Sequence, residues 1–127
     1  MADLDNLRKR FYREIARERE AERFRVAGEW LPVVDDLDRA IEHAPEDEQT
    51  GVVVGLRAVR DHALDILARL GFPRFEDVGE QFDPNRHEAV SAVSSDAEPG
   101  TIVAVVRPGY GVPEVILRPA SVVVAGS

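Results

Sequence analysis

One acidic turn holds the residues of this chain that are best suited to acid–base chemistry. The segment Asp83-Pro84-Asn85-Arg86-His87-Glu88 places an imidazole among carboxylates, a combination that could move a proton in a hydrolase or hold a metal. The same residues also describe a turn, because Pro84 holds Asp83 extended and Asn85 tolerates turn dihedral angles. No nucleophile or oxyanion-binding group accompanies His87, so we favour the turn over catalysis.

The remaining residues that could support an enzyme point to ordinary structure. His43 and His62 lie in helical sequence without a second histidine or a carboxylate at metal-ligand spacing, and we expect both on the surface. Gly100, Gly109 and Gly111 stand singly at strand ends, not in a phosphate-binding loop before a helix. The chain has no cysteine, which excludes disulfides and thiolate catalysis. We predict no catalytic residue, no metal site, no cofactor and no enzyme activity.

Composition limits the class of partner. The formal net charge of -8 opposes binding to a polyanion, so we expect no nucleic-acid partner. No apolar run approaches the roughly 20 residues that cross a bilayer, and the acidic Met1-Ala2-Asp3 opening does not resemble a secretory signal. We therefore expect a cytosolic protein without a membrane partner.

The elements that must position these residues change character at Leu70-Gly71. Before this point the sequence is charged and helical, and after it come prolines, glycines and short valine runs. The sequence thus predicts two parts, a helical region over residues 1–71 and a small β domain over residues 72–127. The fold class is α+β.

The helical region is predicted to be a long helix followed by a second one. From Asp3 to His43 good helix formers dominate, and Pro32 predicts a bend without a stop. Ala44-Pro45 ends the first helix, an acidic linker follows over residues 46–50, and Gly71 ends the second helix.

Apolar residues recur every three or four positions along both helices, in a stripe too narrow to close a core around itself. A second copy of the hairpin would cover that stripe in a four-helix bundle, so we expect a homodimer. The predicted dimer-interface residues are Leu7, Phe11, Ala27, Trp30, Val34, Leu37, Ile41, Leu56, Val59, Ala63, Ile66 and Leu70.

The second part is predicted to be a small antiparallel sheet or open barrel. Short apolar runs separated by proline and glycine predict strands over residues 89–93, 101–106, 114–117 and 121–125, with a turn at Pro108-Gly109. Apolar groups left on its turns and edges would suit a protein-docking face. The residues concerned are Phe82, Pro84, Val106, Tyr110 and Val124.

Four separate blocks of the chain, in order and with matching spacing, resemble the GrpE family. They are Asn6-Leu7-Arg8-Lys9-Arg10, Leu31-Pro32-Val33-Val34-Asp35-Asp36-Leu37-Asp38-Arg39-Ala40, Phe82-Asp83-Pro84-Asn85-Arg86-His87-Glu88-Ala89-Val90, and Gly109-Tyr110 leading to Leu117-Arg118-Pro119-Ala120-Ser121-Val122-Val123-Val124. The resemblance implies a homodimeric nucleotide exchange factor whose β domain docks on the ATPase domain of a DnaK-type chaperone and promotes ADP release. Carried over by position, it implies chaperone contacts at Arg8, Arg17, Arg39, Gly55, Phe82, Pro84, Val106 and Val124.

The chain departs from the family pattern at two points. It begins close to the Asn6 block, so we expect the leader and most of the N-terminal stalk typical of the family to be absent. Pro113-Glu114-Val115 stands where the family usually has a glycine followed by arginine. Two other functions stay open at this point: a structural coiled-coil adaptor, and a hydrolase or metal enzyme using Asp83, His87 and Glu88.

Overall fold

The chain forms two helices followed by six short strands. In a computed structural model, residues 2–45 and 51–126 are described, so the predicted acidic linker lies outside the described residues. The elements in chain order are α1 (Ala2–Glu42), α2 (Gly51–Arg69), β1 (Arg74–Phe75), β2 (His87–Val93), β3 (Ile102–Arg107), β4 (Gly109–Val112), β5 (Val115–Arg118) and β6 (Ala120–Ala125). The predicted α+β fold class is confirmed. We refer to residues 72–126 as the β head.

The long helix α1 continues through Pro32, as predicted. A proline inside a helix removes one backbone hydrogen bond, and packing must compensate for it. Ala27 and Leu31 before Pro32 and Val34 after it are all buried, so the apolar face keeps its phase across the proline. Continuous burial on one face explains why the helix does not stop there.

Helix α2 ends at a glycine, which confirms the stop predicted at Gly71. The amide of Phe72 donates to the carbonyl of Leu67 over 2.9 Å, and the amide of Gly71 donates to the carbonyl of Ala68 over 3.0 Å. This pair of bonds is a Schellman motif, which needs a left-handed residue, and Gly71 has φ +102°. The motif turns the chain so that Phe72 packs back on the helices.

The helices and the β head share one core cluster. Its buried members are Ala27, Leu31, Val34, Leu67, Phe72 and Tyr110. The expectation that Tyr110 contributes an apolar group to a turn or edge is wrong, because Tyr110 is fully buried against the helices. The head therefore covers part of the helical stripe within a single chain.

The strands of the head form two three-stranded sheets. One has the order β1-β4-β5 and the other β2-β6-β3. The expected antiparallel arrangement holds except for β2 and β6, which pair in parallel. After β2 the chain forms β3 and the β4–β5 hairpin before returning between β2 and β3, and this crossover sets the parallel direction.

Two strands, β1 and β4, were not predicted from the sequence. Strand β1 has only two residues, and β4 contains Gly109 and Gly111, a residue type depleted in strands. The turn predicted at Pro108-Gly109 is therefore wrong at Gly109, which begins β4 and pairs with Phe75. Pairing across the sheet, which the local sequence does not report, makes this segment a strand.

The β4–β5 hairpin closes despite its unusual tip. Val112 pairs with Val115, and Pro113 and Glu114 form the two-residue turn between them. The pairing register shifts between Tyr110 and Gly111, and Gly111 has φ +134°. A glycine at this bulge supplies the left-handed residue that the tip itself lacks.

Candidate protein-docking surface

A buried ion pair fixes the β head to the long helix. Arg118 on β5 donates from Nη1 to Asp35 Oδ2 over 2.6 Å and from Nη2 to Asp35 Oδ1 over 2.9 Å. Arg118 Nη2 also donates to the carbonyl of Pro108 over 2.9 Å. Both charged side chains are largely buried, so this two-point contact holds the head in one orientation.

A second ion pair lies one helical turn further along α1. Arg74 Nη1 donates to both carboxylate oxygens of Asp38 over 3.1 Å, and Arg60 on α2 reaches the same carboxylate over 3.4 Å. Burial works to lower the pKa of Arg74, but the nearby Tyr110 and the hydrogen bond and charge of Asp38 hold that pKa above its ordinary value. Asp38 thus ties α1, α2 and the head together.

Sequence reasoning missed these two carboxylates. Asp35 and Asp38 face inward, whereas Asp36 pairs on the surface with Arg39. The available signal was helical spacing, since positions 35 and 38 follow the buried Leu31 by four and seven residues.

Two of the candidate chaperone contacts border one cleft at the junction of α1 and the head. Arg39 is exposed on α1, and the Val106 side chain at the end of β3 is 65% exposed. They line a cleft of about 400 Å³ whose walls also include Asp38 and Arg74. We refer to this feature as the head–helix cleft.

Three further candidates lie on the head. Phe82 and Val124 pack against a second core cluster made of Ile102, Ala120 and Val122. Pro84 is exposed on the turn that follows Phe82. The head thus carries candidate contacts on its second sheet, at its turn and at the head–helix cleft.

The last three candidates lie on the helices. Arg8 and Arg17 are exposed on α1, and 31 residues separate Arg8 from Arg39, about 46 Å along a helix. Gly55 is exposed on α2, and apart from its chain neighbours and its own helix backbone no described atom lies within 4 Å of the place its Cβ would occupy. Within residues 2–45 and 51–126, therefore, no other element packs closely on Gly55. The eight candidates do not form a single patch on one chain.

The predicted dimer-interface residues fall into three groups. Ala27 and Val34 are buried in the chain's own core, and Leu37, Ile41, Leu56, Ala63 and Leu70 are half-buried. The exposed members are Leu7, Phe11, Trp30, Val59 and Ile66. Between α1 and α2 runs a groove of about 780 Å³, lined by Val26, Trp30, Val33, Val59 and Ile66 among others. We refer to it as the helical groove.

The segment around His87 is a turn, as favoured from the sequence. The carbonyl of Asp83 accepts hydrogen bonds from the amides of Arg86 and His87. Its Oδ1 accepts a hydrogen bond from the amide of Asn85 over 2.9 Å. His43 and His62 are exposed on their helices, as predicted. Residues 2–45 and 51–126 contain no group of three side chains able to hold a metal ion. Nor does any helix in those ranges have the length and apolarity needed to cross a membrane.

Comparison with known proteins identifies the family. A family model described as GrpE matches residues 1–126. The chain belongs to the GrpE family. It is 54% identical over 125 residues to Protein GrpE 2 of Streptomyces avermitilis, and this match covers 98% of the chain and 61% of that protein. Protein GrpE of Thermus thermophilus is 44% identical over 98% of the chain and 68% of its own length.

Family membership indicates the general class of this protein. Protein GrpE of Syntrophobacter fumaroxidans is 41% identical over 98% of the chain and 67% of its own length, so the match is spread over several relatives. The chain spans about three fifths to two thirds of these relatives. GrpE proteins are co-chaperones and not enzymes, which bears out the prediction that this chain is not an enzyme.

Proposed function

We propose that the chain acts in the cytoplasm as a homodimer that binds the ATPase domain of a DnaK-type chaperone and promotes release of ADP. The observation that carries this proposal is the GrpE family match, which spans both helices and the whole β head. Exchange needs no catalytic group. It needs a partner that fits the open nucleotide cleft better than the closed one, so that binding shifts the equilibrium toward opening.

The fixed attachment of the head supports a mechanical role. A head that holds a nucleotide cleft open must resist rotation on its support, and the Asp35–Arg118 and Asp38–Arg74 pairs connect it to α1 at two successive turns. The shared core cluster adds apolar contact between the same parts. Force applied at the head is therefore transmitted to the helices.

The helical groove supports the homodimer. Trp30 is 59% exposed and Ile66 is 45% exposed, although both are large apolar side chains on long helices. A second copy of the hairpin would bury them, as in a four-helix bundle. We therefore assign dimerisation to residues 1–71 and chaperone docking chiefly to residues 72–127.

We place the main docking contacts at the head. Arg39 and Val106 at the head–helix cleft, with Phe82, Pro84 and Val124 on the head, combine a cation with exposed and half-buried apolar groups. Interfaces of this kind bind through an apolar centre with a polar rim. Arg8, Arg17 and Gly55 would make additional contacts along the helices.

Stopped-flow release of fluorescent ADP from a DnaK-type ATPase domain tests the function. The unmodified chain should accelerate release, and Val106→Asp should reduce that acceleration because a charge replaces an exposed apolar group in the docking face. Val90→Asp is the matched control, since Val90 is also a half-exposed strand valine (49%) but lies outside the candidate surface. Equal loss in the two variants would contradict the assigned face.

A structural coiled-coil adaptor without exchange activity is the second candidate. Exposed apolar residues near the start of α1, among them Leu4, Leu7, Phe11 and Tyr12, favour it because they extend beyond the helical groove. An intact dimer that leaves ADP release unchanged would support the adaptor and reject the exchange factor.

A further inference from the structure

The turn that carries Pro84 is held by a buried histidine. His87 is only 4% exposed, and its Nδ1 lies 2.9 Å from the amide nitrogen of Asp83. Its Nε2 lies 2.7 Å from Asp77 Oδ2. Because an amide can only donate, Nδ1 must accept, and the ring proton therefore sits on Nε2 and is donated to Asp77.

Asp77 is itself fixed by several partners. Arg86 donates to the same Oδ2 from Nε over 3.2 Å and from Nη2 over 3.0 Å. The guanidinium of Arg86 lies over the Phe75 ring, 4.4 Å from its centroid. Asp77 has φ +65°, a backbone conformation that costs energy for any residue other than glycine. The surrounding contacts hold Asp77 in this conformation.

The Asp77–His87 pair therefore joins separate parts of the head. Asp77 follows β1 of the first sheet, whereas His87 begins β2 of the second. Between them the chain makes the turn at residues 83–86, which is closed internally by the Asp83 bonds to Asn85, Arg86 and His87. The His87 ring also packs against Phe82, with ring centroids 5.9 Å apart. We refer to residues 82–86 as the docking turn.

We infer that Asp77 and His87 are positioning residues for partner docking, which hold the docking turn in its binding conformation before the partner arrives. This inference rests on the proposed function, because it takes Phe82 and Pro84 as docking contacts. A preformed turn binds more tightly than a loose one, since less conformational freedom is lost on association. Neither Asp77 nor His87 needs to touch the partner, and the burial of His87 keeps it from doing so.

Two substitutions of His87 separate its two hydrogen bonds. In His87→Gln the side-chain amide can still donate to Asp77 from near the Nε2 position but no longer accepts the Asp83 amide. In His87→Asn the side-chain oxygen can accept the Asp83 amide from near the Nδ1 position but no longer reaches Asp77. We expect each substitution to weaken binding to the ATPase domain about five- to tenfold, as for one lost hydrogen bond.

Asp83→Ala provides an independent variant that leaves the buried histidine intact. It removes the Oδ1 acceptor for the Asn85 amide and so loosens the docking turn from its exposed side. We expect it also to weaken binding, with dimer mass and helical circular dichroism unchanged. It keeps the inference testable if His87→Gln fails to fold.

Combination with Pro84→Ala distinguishes positioning from general destabilisation. If His87 and Asp83 act through the docking turn, Pro84→Ala should lose less affinity in the His87→Gln or Asp83→Ala background than in the unmodified chain. Val106→Ala is the control, because Val106 lies on β3 outside the turn. Its loss of affinity should add fully to that of His87→Gln or Asp83→Ala. Calorimetric titration against the ATPase domain measures all of these affinities.

The outcomes separate this inference from the proposed function. Full additivity with Pro84→Ala, or unchanged affinity in both His87→Gln and Asp83→Ala, would overturn the positioning role while binding itself persists. Failure of the unmodified chain to bind the ATPase domain would reject the proposed function, and the inference with it. Affinity losses that are non-additive with Pro84→Ala but additive with Val106→Ala would support both the inference and the proposed function.

Discussion

Neighbouring aspartates on α1 differ in physical environment, and their substitutions should differ accordingly. Asp35 neutralises the buried Arg118, whereas Asp36 pairs with Arg39 on the surface. Asp35→Ala leaves a buried guanidinium without its anion, so we expect a loss of about 2–4 kcal/mol in the free energy of unfolding. Asp36→Ala should change it by about 0.5 kcal/mol or less. Urea unfolding of both variants at one fixed protein concentration tests the difference, and similar losses would contradict the assigned roles.

Acid should weaken the head through Asp77. Burial works to raise the pKa of Asp77, but hydrogen bonds from His87 and Arg86 outweigh it and hold the pKa below its ordinary value. A carboxyl whose pKa is lower in the folded state stabilises that state above about pH 4, and this contribution disappears as the pH falls through the folded pKa. The gap in unfolding free energy between the unmodified chain and Asp77→Asn should therefore shrink from about pH 5 to about pH 3.

A carboxylate elsewhere in the head serves as the control for that pH series. Asp96 is exposed and makes no hydrogen bond through its side chain within the described residues. Asp96→Asn should leave the unfolding free energy almost unchanged across the same range. A gap for Asp77→Asn that stays constant with pH would show that its carboxylate does not stabilise the fold.

At the scale of the element, two glycines of the second helical segment should respond to alanine in opposite directions. Gly71 is left-handed in the Schellman motif, so Gly71→Ala should destabilise the chain by about 1 kcal/mol. Gly55 has helical geometry and open space around its Cβ position, so Gly55→Ala should stabilise it by about 0.5–1 kcal/mol. Thermal unfolding of the matched pair tests this, and destabilisation by Gly55→Ala would indicate a second chain packed against that glycine.

The elements that the sequence predicts well are those governed by local periodicity. Helix α1 is expected from Asp3 to His43 and runs from Ala2 to Glu42, because its propensities and apolar spacing agree along its length. Strand β4 escapes prediction because its glycines disfavour strands and only its partners β1 and β5 stabilise it. The Asp35–Arg118 pair escapes prediction for a related reason, since 83 residues separate its members.

At the scale of the whole molecule, a single chain leaves its apolar surface unevenly covered. The β head buries one side of the helical stripe through Phe72 and Tyr110. The other side, along the helical groove, keeps Trp30 and Ile66 exposed. Net charge of -8 keeps copies apart at long range, so association depends on short-range apolar contact in this groove. Disruption of that contact should therefore separate the copies.

Trp30→Ala tests the homodimer most directly. Trp30 lines the helical groove and is mostly exposed in one chain, so its loss removes far more contact from a dimer than from the monomer's own core. Loss of a central tryptophan should raise the dimer dissociation constant by roughly 30-fold or more, seen by sedimentation as a monomer at low micromolar concentration. Val52→Ala, on an exposed α2 residue outside the groove, should leave the mass unchanged. A dimer that persists in Trp30→Ala and dissociates in Val52→Ala would place the interface elsewhere on α2, and a folded monomer of the unmodified chain would remove the homodimer from the proposed function.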